Sequence, residues 1–246
     1  MPLSVLGPIL TQTPVGRLED VVARMTAIDQ ALPRADGVSC FNKLYLEVTK
    51  NVLAGVGQAT FADPRFLTTL DVAFANLYFA ALSAFEAGSP DTPRAWQPLF
   101  ETRSSRTVAP IQFALAGMNA HINRDLPVAL VDTFTAIGGA PGEDSAQHRD
   151  FELVNSLLSA TEKQVKDTYL DDLMRKLDAE FDGVDDVVAI WSVSAAREAA
   201  WINGEVMWHL RSLGPIARGY LATLDRTVGF ASRGLLVSTG TLAEAA

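Results

Sequence analysis

Cysteine and histidine are the scarcest chemically versatile residues in this 246-residue chain: there is one cysteine and there are three histidines. A lone Cys40 excludes an intrachain disulfide and any multi-thiolate zinc site, and reads as a small buried apolar side chain. Positive charge is also short. With 20 Lys and Arg against 29 Asp and Glu, the formal net charge is -9, the opposite of a surface built to neutralise phosphates, so nucleic acid is not an expected partner. There is no phosphate loop, no dinucleotide fingerprint following a strand and no nucleophile elbow, so no nucleotide cofactor is expected. Residues 1–10 carry no basic region and are broken by Pro2 and Pro8, unlike a secretory signal. No stretch reads as apolar for long enough to span a bilayer. The default expectation is a cytoplasmic protein that handles a small molecule, with homo-oligomerisation left open.

Helical periodicity dominates what remains. No alternating β-branched run bounded by turns occurs, and no internal repeat. From Arg17 to Leu32, apolar residues recur at three- and four-residue steps and Pro33 ends the run. Asp36-Gly37-Val38 opens a second helix, with Phe41, Leu44, Tyr45, Val48 and Val52 on one face, broken by Gly55 and Gly57. Asp63-Pro64 is a strong helix start, because the aspartate can cap free amides and the proline gives up a donor that has no partner there. That helix runs to about Glu86 and is apolar on most sides, as a core helix should be. Residues 88–93 form a loop. Arg106 to about Ala136 is helical around Pro127, which removes an amide donor and crowds the carbonyl four residues back, so a kink or break is expected. After the 138–142 loop come Ser145 to Phe181 and Val184 to Leu213, divided by Gly183, and then Pro215 to Ser232. The prediction is one all-α domain of about seven helices over 1–246, with frayed ends at about 1–14 and 238–246.

Each histidine has a carboxylate close by. His121 and Asp125 are four residues apart, which on a helix puts them on one face with Cβ atoms roughly 5–6 Å apart. They lie beside the apolar Met118 and Ile122, so both point toward the interior, where an ionised carboxylate needs a partner. Glu205 and His209 repeat the spacing, and Arg197, Trp201 and Trp208 extend that face. His148, with Asp150, follows the glycine loop. Together these supply nitrogen and oxygen donors suited to zinc, iron or manganese. Taken singly, a histidine four residues from a carboxylate is also a common stabilising helix pair. Arg124 reads as an anion clamp or as the counter-ion of Asp125, and Asn119 as a supporting hydrogen-bond group.

Two other patterns fail. Residues 178–183 resemble the start of a calcium loop, but Ala189 stands where its terminal glutamate is required. Asp171-Asp172 lacks the spacing of a magnesium-diphosphate site and fits a solvated helix face.

The segment from Ala114 through His121, Asn123, Arg124 and Asp125 to Pro127 resembles the signature of DUF5995, a bacterial domain family of unknown function. Asp36-Gly37-Val38 with Phe41, Asn42 and Tyr45, Phe61 with Asp63-Pro64, Phe74 with Asn76 and Tyr78, and His148 with Asp150 and Asn155 agree with it. The resemblance covers most of the chain and implies no activity. His121, Asp125 and Pro127 also match one element of the zinc-dependent phospholipase C and P1 nuclease group. Those enzymes resemble secreted proteins far richer in histidine, so only a smaller metal site carries over.

Two functions follow as expectations. In the first, His121, Asp125, Glu205 and His209 hold one divalent ion in a hydrolase-like enzyme, with His121, Asp125, Arg124 and His148 as its catalytic set. In the second, a metal-free pocket lined by Phe74, Tyr78, Trp201 and Trp208, with Asn119 and Arg197 as polar contacts, binds or transforms a lipid-like or polycyclic molecule.

Overall fold

The computed structural model describes residues 5–10, 14–56, 61–155 and 192–238. Among them the chain is helical without strands, an all-α fold as expected. In order, the elements are α1 Gly7–Leu10, α2 Leu18–Ala31, α3 Gly37–Val56, α4 Pro64–Glu86, α5 Gln97–Thr102, α6 Pro110–Ala120, a π turn His121–Asp125 and α7 Leu126–Ile137. Residues 146–155 form α8, which is followed by α9 Val193–Leu210 and α10 Gly214–Leu235. The remainder of the run predicted helical from Ser145 to Phe181, with Asp171-Asp172 and Gly183, lies outside the described residues.

α6, the π turn and α7 follow one another without a loop and form the central rod. α3 and α10 pack on α6, α4 and α9 on α7, and α2 covers α3. The rod is apolar on nearly all sides: every residue of α6 from Ile111 to Ala120 is buried. Gly117 permits a close approach of α3, since a Cβ there would run into the Phe41 ring.

The interruption predicted at Pro127 takes a specific form. Proline offers no N–H to the carbonyl of residue 123, and the Leu126 N–H bonds His121 O, five residues back instead of four. The ladder widens into one π turn, a feature that is rare and often found at functional sites.

α4 starts as predicted, with Asp63 accepting from Phe66 N at 3.0 Å and Pro64 in the first turn. By length and composition α4 could cross a membrane, in contrast to the expectation that no stretch could. Its place in the bundle gives another reason for its apolarity, since Phe66, Leu70, Phe74, Tyr78 and Leu82 are buried in the core. Two short helices escape the periodicity. α5 is six residues long, too brief for a repeating pattern. α1 lies in the stretch read as frayed, yet Leu6 and Leu10 are buried against the core.

Candidate functional site

His121 and Asp125 face inward as the spacing predicts, with 1% and 0% of their surface exposed. His121 Nδ1 lies 3.1 Å from Asp125 Oδ2. A carboxylate can only accept, so Nδ1 carries the proton of this bond. The same oxygen accepts from Trp96 Nε1 at 2.9 Å, and Asp125 Oδ1 accepts from the Arg124 guanidinium at 2.7 Å. Arg124 is therefore the counter-ion that the buried carboxylate requires.

With Nδ1 committed, the opposite nitrogen carries the lone pair of a neutral imidazole. His121 Nε2 is buried and, among the described residues, has no hydrogen-bond partner. Burial pushes the His121 pKa down, and Asp125 opposes that shift. Aromatic rings enclose the imidazole. Phe74 stacks on it with centroids 3.4 Å apart and planes 6° from parallel. Tyr45 meets it edge-on at 4.4 Å, while Phe41, Trp96 and Tyr78 complete the shell at 5.6, 5.8 and 6.2 Å. α3, α4 and the segment before α5 thus each supply rings around one histidine on the π turn.

An acid the sequence did not single out, Asp71, lies near this shell, opposed by the predicted Arg197. Burial raises the Asp71 carboxyl to about 7, with Arg197 working against it, and Asp71 Oδ2 has no hydrogen-bond partner among the described residues. Burial also raises the Tyr45 hydroxyl well above its usual value, and the fields of Asp71 and Asp125 add to this. Arg197 is held by Asn155 Oδ1 at 2.7 Å and Phe151 O at 2.9 Å. Burial lowers its guanidinium to about 10, so it remains protonated at neutral pH.

A carboxyl whose folded pKa is raised binds its proton more tightly folded than unfolded, so its contribution to stability falls as pH rises from about 4 to about 7. Asp71→Asn should match wild type near pH 4 and exceed it in unfolding free energy by roughly 4 kcal/mol at pH 8. His121 contributes the opposite slope, since a lowered histidine pKa costs stability as pH falls below about 6.5. Urea titrations of both proteins at pH 4, 6 and 8 measure the difference; a gap independent of pH would contradict the assignment to Asp71.

The other predicted residues take separate places. Glu205 accepts from Trp201 Nε1 at 3.1 Å, and His209 is exposed. Among the described residues no three His, Cys, Asp or Glu side chains gather as they would around one ion. The donor atoms agree with that: both Asp125 oxygens already accept hydrogen bonds, and the Arg124 guanidinium sits where a cation bound to Oδ1 would go. Among the described residues His121 and Asp125 therefore stand together, apart from Glu205 and His209. His148 Nδ1 bonds Glu143 O at 2.7 Å and its ring meets Trp201 at 4.5 Å. Asp150 instead accepts from Ala62 N and Asp63 N, at 2.9 and 2.6 Å, and pins the start of α4.

Asn119 donates to Val228 O at 3.1 Å and Ser232 Oγ at 3.0 Å, which ties α6 to α10. The predicted aromatic lining divides in two. Phe74 and Tyr78 belong to the shell of His121, whereas Trp201 packs on Phe66, Phe134 and Phe151, and Trp208 on Phe134. Trp96, a central member of the site, gave no signal in the sequence, because it stands alone between Pro93 and Pro98 outside any periodic run.

The fold and this site define an all-α protein with a buried histidine–carboxylate dyad in an aromatic shell. The chain belongs to the family of unknown function DUF5995, which it matches over residues 18–238. No curated protein and no solved structure matches it.

Proposed function

We propose that this protein binds a largely apolar, ring-bearing small molecule and that His121 Nε2 exchanges a proton with its polar group, without a metal. The observation that carries this reading is the buried Nε2, unpartnered among the described residues, of an imidazole whose other nitrogen is fixed by Asp125. Leaving such an atom unpaired costs about 1–3 kcal/mol, a cost a purely structural core would avoid with a phenylalanine. A ligand O–H donating to Nε2 removes that cost. Transfer of its proton to Nε2 would leave an imidazolium beside Asp125, whose carboxylate Trp96 and Arg124 hold in place. The surrounding rings favour a flat apolar ligand, and its arrival requires side-chain rearrangement at Phe74 or Tyr45.

2-Naphthol, a fused ring pair with one hydroxyl, is a suitable probe. Metal-stripped wild type should show saturable binding and a raised melting temperature, because a ligand selective for the folded state stabilises it by mass action. His121→Phe should remain folded and lose that response. Equal binding by both proteins, no saturable binding by either, or binding that needs added zinc, iron or manganese would each overturn the proposal.

A further inference from the structure

A second feature lies on the outer side of the same dyad. The loop before α5 and the outer face of α10 enclose an open cleft of about 580 Å³, lined by Arg94, Arg124, Arg218 and Arg233 with Asp91 and Asp225. Four guanidinium groups therefore face two carboxylates, in a chain whose net charge is -9. Asp225 is already engaged: it accepts from Arg94 N at 2.9 Å and Ala95 N at 3.1 Å, and lies 3.5 Å from Arg124 Nε. Among the described residues, Arg94, Arg218 and Arg233 have no acidic side chain in ion-pair contact.

The wall of the cleft is firmly built. One turn beyond Asp225, Gly229 lets α10 approach the Arg94–Ala95 backbone so closely that a Cβ would meet the Arg94 carbonyl. Arg124 is the inner guanidinium, with only 14% of its side chain exposed and its other contact on Asp125. Arg94, Arg218 and Arg233 are like charges gathered in one concavity with no acidic side chain in ion-pair contact among the described residues, so they repel one another, and a multivalent anion reverses that balance with charge-assisted hydrogen bonds. A volume of this size is ample for such a ligand.

We infer that this cleft binds a small multivalent anion, a phosphate or a polycarboxylate, on Arg94, Arg124, Arg218 and Arg233. Because Arg124 touches both the cleft and Asp125, the bound anion is sensed at His121. That coupling rests on the dyad reading proposed above, while the binding itself does not.

Calorimetric titration of the full chain with inorganic phosphate, and separately with citrate, at low ionic strength tests the site. Saturable one-to-one binding of at least one of them is expected, and the identity of the better ligand separates a phosphate site from a carboxylate site. The double variant Arg94→Gln/Arg218→Gln should weaken binding about tenfold or more, whereas Arg65→Gln, an exposed arginine on α4, should leave it unchanged. Absence of saturable binding, or equal loss in the Arg65 control, would overturn the inference. His121→Phe should retain phosphate binding even where it abolishes the naphthol response, so the two proposals fail separately. In wild type, saturation with the anion should shift the His121 ring nitrogen resonances.

Discussion

Asp125→Ala should lower the unfolding free energy by about 3–5 kcal/mol, the range for removing one partner from a buried charge pair. Three donors lose their acceptor at once: the Trp96 indole, the His121 Nδ1 and the Arg124 guanidinium. Arg124 keeps the neighbouring Asp225, at 3.5 Å and nearer the surface, which limits the loss on that side. The indole and imidazole have no such alternative in an apolar shell. Asp125→Asn is the milder variant, since one carbonyl oxygen can still accept, but its amide nitrogen presents a donor where donors already point. It should fall between wild type and alanine. Urea unfolding monitored by circular dichroism gives the order directly; an alanine variant within about 1 kcal/mol of wild type would mean that the carboxylate is not the centre of this network.

Phe41→Ala should cost a comparable amount, about 3–5 kcal/mol, and should also change the chemistry of His121. The Phe41 ring is fully buried and touches Tyr45, Tyr78, Trp96 and His121, and it packs against Gly117. Its removal opens a space beside the imidazole. If water enters, the desolvation that now depresses the His121 pKa is relieved and the value rises toward the ordinary histidine range. If the space stays dry, a small apolar molecule such as indole should fill it and restore part of the lost stability. NMR titration of the ring carbon shifts and melting with and without indole distinguish the two outcomes. A loss below about 1 kcal/mol together with an unmoved pKa would show that Phe41 does not close the shell.

These effects arise in a region whose local structure was partly legible. The four-residue spacing of His121 and Asp125 beside Met118 and Ile122 indicated an inward pair, and both side chains are buried and bonded to one another. Pro127 indicated an interrupted helix, and the π turn immediately precedes it. Glu205 and His209 have the same spacing but a different environment, because that stripe of α9 pairs Glu205 with Trp201 and leaves His209 exposed. Spacing alone could not separate the two pairs: it reports which residues share a helix face, not what the face meets. Asp71 was missed for the same reason, as one acid in an apolar helix that becomes conspicuous only once Arg197 and Tyr45 are brought near it.

The sequence by itself determined the all-α class, the main helices among the described residues and the inward orientation of the His121–Asp125 pair. Periodicity, capping and proline chemistry act over a few residues and can be read locally. Tertiary structure alone decided that Trp96 and Arg124 would share Asp125, that rings from α3 and α4 would enclose His121, and that Asp225 would join α10 to the loop before α5. Those contacts join residues up to 131 positions apart, a separation at which helix packing, with no signal in local periodicity, sets what each side chain touches.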